Sequence, residues 1–299
     1  MSSNAAQELS NALADAVERV SASVVRVETG RRRPASGLIW SAEGLVVTSA
    51  HGLEREEGLE VSLETGQAQP ATLLGSDPSS DIAVLRIEAT PGLPVAERAP
   101  GESIRRGQLV LALSRPGRTI RSTLGVVSAL SDQWRAPSGG KIERYIQSDV
   151  GIEAGFSGGA LIDASGRVIG LNSAALLRGS ALTLAVVTVE RVVNALLSHG
   201  QIQRGYLGVS STAARLPPTL AESSGQRAGL VVTGLQPGGP AENAGVFLGD
   251  VLLSLDGEPL ESIADLQAAL EERAQRSVAL RVLRAGQAQE LLVTPSVRS

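Results

Sequence analysis

Gly151-Ile152-Glu153-Ala154-Gly155-Phe156-Ser157-Gly158-Gly159-Ala160-Leu161 is the stretch that decides how this chain is read. A serine set among glycines, with Gln147-Ser148-Asp149 before it and the apolar pair Leu161-Ile162 behind it, has the form of a nucleophile on a tight turn between strands. Glycine lets the backbone adopt conformations that other residues resist, so the N–H groups of Gly155 and Ser157 can converge on one point. Two convergent N–H groups beside a hydroxyl form an oxyanion hole next to a nucleophile. The plain alternative is a Gly/Ser turn with no chemistry, and the rest of the chain has to decide between the two.

A serine hydroxyl needs a base to take its proton, and the chain has only two histidines, His51 and His199. His199 precedes Gly200 at the end of an apolar-faced helical segment, where it suits the negative end of the helix dipole. His51 instead follows the run Val46-Val47-Thr48-Ser49-Ala50, which reads as a strand delivering an imidazole to a barrel edge. The third member of such a set is a carboxylate that holds the imidazole in one tautomer. Asp77 and Asp81 compete for it. Asp77 precedes Pro78 and reads as a turn residue. Asp81 leads directly into the apolar run Ile82-Ala83-Val84-Leu85, where a carboxylate is drawn inward and requires a partner, so Asp81 is preferred. The order His51, Asp81, Ser157 is that of chymotrypsin-type enzymes rather than of subtilisins or α/β-hydrolases.

Composition agrees. At 299 residues, 42% hydrophobic and 2% aromatic, the chain has room for about two domains with aliphatic cores. A net charge of −4 argues against nucleic acid as a partner, and Arg31-Arg32-Arg33 reads as a solvated hairpin tip. With no cysteine there are no disulfides, thiolate metal sites or Cys nucleophile. No apolar run approaches the roughly 20 residues of a membrane span. The start lacks a basic segment followed by an apolar one, which predicts a cytoplasmic protein, or a periplasmic one if a leader has been removed.

Residues 4–20 are predicted to form a helix, with Asn4 and Gln7 as a capping box and Leu9, Leu13, Ala16, Val17 and Val20 on one face. From Ser23 the period is that of short strands: Val24–Glu28, Gly37–Trp40, Leu45–Thr48, Ile82–Ile87, Leu109–Leu113, Leu124–Val127 and Val168–Leu171. Such a pattern fits two packed barrels better than one. A helix over Val189–Leu197 closes this part. A second unit opens near Gly205 and carries a helix predicted over Ile263–Glu272. The domains are therefore 1–22, 23–200 and 201–299.

The motifs together resemble the HtrA (DegP/Deg) serine proteases. They are Thr48-Ser49-Ala50-His51, Asp77-x-x-x-Asp81-Ile82-Ala83-Val84-Leu85, and Gln147-Ser148-Asp149 leading to Gly155-Phe156-Ser157-Gly158-Gly159. The opening Ala16–Val27 is similar to the start of mature HtrA chains. Residues from about 201 resemble the PDZ domain that follows, through Tyr206-Leu207-Gly208-Val209 and Gly249-Asp250-Val251. The resemblance implies a mostly β fold: a short N-terminal helix, a chymotrypsin-like double β-barrel and a PDZ domain. It implies an ATP-independent endopeptidase for unfolded or damaged polypeptides, with no cofactor and no metal. His51 is then the base, Asp81 its orienter and Ser157 the nucleophile, with the oxyanion bound by Gly155 and Ser157.

It also implies that Ile152 lines the S1 pocket, favouring small or medium aliphatic P1 residues. Asn172-Ser173-Ala174 would form the edge along which substrate pairs. In the PDZ unit, Tyr206, Leu207, Gly208 and Val209 would receive a C-terminal peptide as an added strand, with Leu266 and Leu270 shaping the pocket. The chain departs from the family in having Phe156 for Asn, Ala160 for Pro, and no aromatic among residues 1–30. Since family trimers are held by N-terminal aromatics, either Leu9, Leu13 and Val17 replace them or the homo-oligomer is of another kind. The alternative functions are a catalytically silent HtrA-like peptide-binding adaptor or chaperone, and a small-ester hydrolase using the same three residues.

Overall fold

The computed structural model describes residues 2–28, 34–53, 57–99, 104–136, 140–177, 182–200, 204–271 and 273–298. The Arg31–Arg33 run lies outside them. The chain divides into two compact units, Met1–Ile202 and Gln203–Ser299.

The first unit begins with helix α1 (Ser2–Ser21). Its expected capping box does not form: the helix starts ahead of Asn4, and Gln7 Nε2 donates to Asn11 Oδ1 one turn on. Of its apolar face only Ala16 and Val20 are fully buried, while Leu9 stays 49% exposed. Strands β1 (Val24–Glu28), β2 (Ala35–Ile39), β3 (Leu45–Thr48), β4 (Leu59–Ser62), β5 (Ala68–Asp77) and β6 (Ile82–Arg86) close into a barrel ordered β1-β2-β3-β6-β5-β4. Next come β7 (Leu109–Ser114), β8 (Arg121–Ser131) and the small hairpin of β9 (Trp134–Arg135) and β10 (Lys141–Ile142). With β11 (Tyr145–Ser148), β12 (Ala160–Asp163), β13 (Val168–Ser173) and β14 (Leu182–Ala185), strands β7 and β8 close a second barrel ordered β11-β14-β13-β12-β7-β8. Helix α2 (Val186–His199) follows and is capped by left-handed Gly200.

Strand alternation explains the continuous apolar runs. Successive side chains point to opposite faces. Val110 and Ala112 therefore enter the second barrel's interior with Ile146, Phe156, Leu161 and Ile169. Leu111 and Leu113 turn the other way, into a core shared with Leu38, Val47, Ile82 and Val84 of the first barrel and Val189 and Val192 of α2. Both faces are buried, so both are apolar. The two barrels are thus joined through a shared apolar core.

The second unit contains β15 (Arg204–Tyr206), β16 (Val209–Arg215), α3 (Pro218–Ser224), β17 (Ala228–Leu235), α4 (Pro240–Asn243), β18 (Val251–Leu255) and β19 (Glu258–Pro259). Helix α5 (Ile263–Leu270), β20 (Val278–Arg284), β21 (Gln287–Val293) and β22 (Ser296–Arg298) complete it. Its main sheet runs β16-β17-β18-β20-β21, with β19 on β18, and β15 pairs with β22. Helix α5 carries a reciprocal capping box of Ser262 and Asp265, and ends sooner than predicted; Glu272 lies outside the described residues.

In this unit a buried carboxylate is paired with a partly exposed arginine. Asp250 accepts from Arg284 Nε at 2.8 Å and Nη2 at 2.7 Å, and from the Phe247 N–H at 2.8 Å. Burial pushes the Asp250 carboxyl up, but the hydrogen bonds from Arg284 and Phe247 and the Arg284 charge outweigh it and hold it below the usual range. A depressed carboxylate stabilises the fold above its unfolded pKa and loses that contribution as pH falls through the folded one. Asp250→Asn is therefore expected to lower the second unit's stability by about 1.5–3 kcal/mol near neutrality. Urea unfolding across pH should show the difference from wild type shrinking in acid; a constant difference down to about pH 2 would contradict this.

Candidate active site

Asp81 is the pivot. Just before β6 its backbone has φ 57, the left-handed region that Asp tolerates better than most residues. Its carbonyl accepts from the Ala50 N–H at 3.2 Å and its Oδ1 from the His51 N–H at 2.8 Å. The loop after β3 is thereby wound into a single 3-10 turn, Ala50–Gly52, rather than continuing as strand up to His51 as expected. His51 Nδ1 stands 2.9 Å from both carboxylate oxygens. The imidazole side is exposed, whereas Asp81 is 2% exposed. Asp77 serves the turn instead: Oδ1 accepts from the Ser79 N–H at 3.2 Å and the Ser79 hydroxyl, and Oδ2 from the Ser80 hydroxyl at 2.6 Å.

Ser157 is reached from the other barrel. The residues after it are stitched to β13: the Gly158 N–H donates to Asn172 O and the Asn172 N–H to Gly159 O, each at 2.9 Å. Ser157 O in turn accepts from the Ser36 N–H of β2 at 3.1 Å. Gly158, at φ +80, lies so close to the first barrel that a Cβ there would sit 2.1 Å from Ser36 O and 2.7 Å from Thr48 Oγ1. Only glycine fits. The Ser157 turn is thus pressed against the end of β3, three residues before His51.

Two consecutive residues at the end of β13 join the parts. The Ser173 hydroxyl donates to Asp81 Oδ2 at 2.6 Å, and the Ala174 N–H donates to Ser157 Oγ at 3.2 Å. One short segment therefore holds the carboxylate of the first barrel and the hydroxyl of the second. Phe156 is buried with Val110, Ile146, Leu161 and Ile169, so its ring anchors the turn from inside. Gly155 has φ +96 and its carbonyl accepts from the Ser36 hydroxyl at 2.7 Å. Among the described residues, neither the Gly155 nor the Ser157 N–H has an acceptor within the chain. No three His, Cys, Asp or Glu side chains gather as a metal site among the described residues.

The remaining predicted residues divide. Ile152 is half-buried against the Phe156 cluster, and Glu153 is exposed, 3.7 Å from Arg121. Asn172 corrects the expected substrate edge. Its backbone N–H and C=O are spent on the Ser157 turn, and its amide donates to Ala160 O at 3.0 Å and accepts from Thr183 at 2.8 Å. Of the three residues only Ala174 is exposed. In the second unit, Leu207 is buried, Gly208 has φ +76, and Val209 opens the end strand β16. Tyr206 closes β15 and its hydroxyl donates to Gln236 at 2.7 Å. Leu266 and Leu270 are 7% exposed and pack in the core with Leu207, so they are a correction too: they fill the core instead of facing an open groove. The side chains α5 leaves exposed are Ile263, Ala264, Gln267 and Ala268.

Sequence reasoning missed Ser36, Ser173 as the partner of Asp81, and Arg115. A signal existed for two of them. Ser36 is a lone hydroxyl in a short, otherwise apolar strand, and Arg115 follows the apolar run Leu109–Leu113, where a buried cation requires partners.

The two units have counterparts among known proteins. Residues 35–171 match a trypsin-like peptidase domain and residues 231–284 a PDZ domain. The chain is 33% identical over 263 residues to the periplasmic serine endoprotease DegP of Salmonella typhimurium, covering 84% of this chain and 54% of that protein. It is 31% identical over 258 residues to the serine endoprotease DegS of Escherichia coli, covering 81% of this chain and 70% of that one. It thus spans about half the length of the DegP relatives it matches. Among solved structures it is similar to the HtrA-type protease AlgW with a decapeptide, at TM-score 0.78 and 30% identity, covering 96% of this chain and 99% of that one. It is similarly close to the serine endoprotease from Yersinia pestis, at TM-score 0.78 and 28% identity, covering 96% and 98%. With a double-barrel peptidase unit followed by a PDZ domain, the chain belongs to the HtrA family of serine proteases.

Proposed function

We propose that this chain is an ATP-independent serine endopeptidase of unfolded or damaged polypeptides, with Ser157 as nucleophile, His51 as general base and Asp81 as its orienter. The observation that carries the reading is the tether at the end of β13, where Ser173 holds Asp81 and the adjacent Ala174 holds Ser157. His51 Nδ1, bonded to Asp81, carries its proton there, which leaves Nε2 as the basic nitrogen. Nε2 takes the Ser157 proton as Oγ attacks the scissile carbonyl. The tetrahedral oxyanion is received by the N–H groups of Gly155 and Ser157, which have no acceptor of their own among the described residues. The imidazolium then protonates the leaving amine, and water repeats the sequence on the acyl-enzyme to restore Ser157.

The half-buried Ile152 suits small or medium aliphatic P1 side chains, and substrate extends past the exposed side of Ala174 and Ala175. The PDZ unit binds a peptide C-terminus as a strand added to β16, which among the described strands pairs only with β17. The DegP relatives are named periplasmic, which supports that compartment over the cytoplasm for this chain, and a homo-oligomer is the working assembly. No described helix is long and apolar enough to cross a membrane. A fluorophosphonate should label the wild-type protein and not Ser157→Ala, with casein cleavage lost in parallel. Equal labelling of the two, or none of either, would overturn the reading.

A further inference from the structure

We infer that Arg115, at the end of β7, is a positioning residue for the oxyanion side of the active site, acting through Ser36 and Gly155. This rests on the protease reading above. The Arg115 side chain is 3% exposed, and each of its three guanidinium nitrogens is engaged. Nε donates to Val24 O at 2.7 Å, Nη1 to Arg118 O at 2.9 Å, and Nη2 to Ser21 O at 2.8 Å and Glu64 Oε1 at 3.1 Å. Glu64 Oε1 also accepts from the Ser21 hydroxyl at 2.9 Å. The end of α1, the start of β1 and the β4–β5 turn are thereby clamped onto the segment that continues into Pro116.

Such a clamp alone would be scaffolding. What takes it to the reacting centre is the backbone of the same residue. The Arg115 N–H donates to Ser36 Oγ at 2.8 Å, and Ser36 Oγ donates to Gly155 O at 2.7 Å. A hydroxyl has one hydrogen, so an N–H directed into its lone pair leaves that hydrogen for the carbonyl, and the chain of bonds has one polarity. Pro116 forms the other wall: a Cβ on Gly155 would lie 2.6 Å from Pro116 Cβ. Gly155 is thus held by its carbonyl and by close packing, both supplied through Arg115–Pro116. The N–H of that same glycine is one of the two proposed oxyanion donors. A donor displaced by a fraction of an ångström stabilises the transition state less without changing how substrate docks. Lysine, a single point charge, cannot reproduce the fork that reaches four acceptors.

The test uses the full chain with a chromogenic peptide of aliphatic P1 and the matching peptide aldehyde, whose hemiacetal places an oxygen in the oxyanion site. Arg115→Met and Arg115→Lys should lower kcat by about 10- to 100-fold with KM within about twofold, and weaken aldehyde binding by the same factor as kcat. Ser36→Ala, which leaves the guanidinium clamp intact, should do the same and carries the test if Arg115→Met does not fold. Wild-type kcat in Ser36→Ala, or a lowered kcat with unchanged aldehyde affinity, would overturn the proposal while a labelled wild type keeps the protease reading standing. A wild type that takes no label at Ser157 would remove both.

Discussion

Asp81→Asn is expected to lower kcat by about 10⁴-fold while leaving the protein folded. The geometry says why so small a change has so large an effect. Oδ1 accepts from the His51 N–H, so an asparagine must keep its single oxygen on that side. Its NH₂ then takes the Oδ2 position, facing both the Ser173 hydroxyl and His51 Nδ1. Nδ1, equally near both positions, then meets a donor as well as the remaining oxygen and loses the carboxylate charge. The tautomer protonated on Nε2, which cannot take the Ser157 proton, therefore gains ground, and the imidazolium loses its counter-charge. The comparison variant is Asp77→Ala. It removes the acceptor of the Ser79 and Ser80 donors, costs about 1–3 kcal/mol of stability, and should lower kcat less than about tenfold, because the Asp81–His51 bonds remain. Steady-state kinetics on one peptide checks both. Equal losses in the two variants would show that the carboxylate has been assigned wrongly.

Phe156→Ala is expected to produce the largest loss of stability of any substitution near the site. Phe156 is among the largest fully buried side chains and sits between residues whose N–H groups are both proposed to act on the substrate. Removing a buried phenyl ring forfeits its transfer free energy and leaves a cavity, about 3–5 kcal/mol together, against a total stability on the order of 5–15 kcal/mol. Asparagine, the residue the family has here, would also place an amide in an apolar cluster of Val110, Ile146, Leu161 and Ile169 without partners. Phe156→Leu should recover most of the stability and activity. Urea unfolding of the three proteins is the check, and a loss under about 1 kcal/mol for Phe156→Ala would mean that the ring is not what anchors the turn.

The sequence carried most of the fold and singled out the three residues proposed for the chemistry, for identifiable reasons. Two barrels were legible because apolar runs such as Leu109–Leu113 are buried on both faces, and no half-exposed strand reads that way. His51 was legible because only two histidines exist. Asp81 was preferred over Asp77 on the apolar strand behind it. What joins the residues was not legible. Ser173 meets Asp81 across 92 positions and Ser36 meets Gly155 across 119, and local pattern holds no information on such pairs. Asn172 was misplaced because a polar residue at a strand end looks solvent-facing until its partners Ala160 and Thr183 are known. Leu266 and Leu270 were misplaced because helical periodicity gives an apolar stripe without saying whether a core or a groove takes it; here the core does. The Asn4–Gln7 cap failed because α1 starts ahead of Asn4.

The central claim is that one hydroxyl, activated by one imidazole, does the chemistry. It is tested most directly by mapping where the fluorophosphonate attaches: the modified protein is digested and the adduct located by mass spectrometry. A single phosphonyl group on Ser157, absent when His51 is replaced by alanine, is the predicted result. An adduct on any other residue, or one on Ser157 that forms as readily without His51, would contradict it.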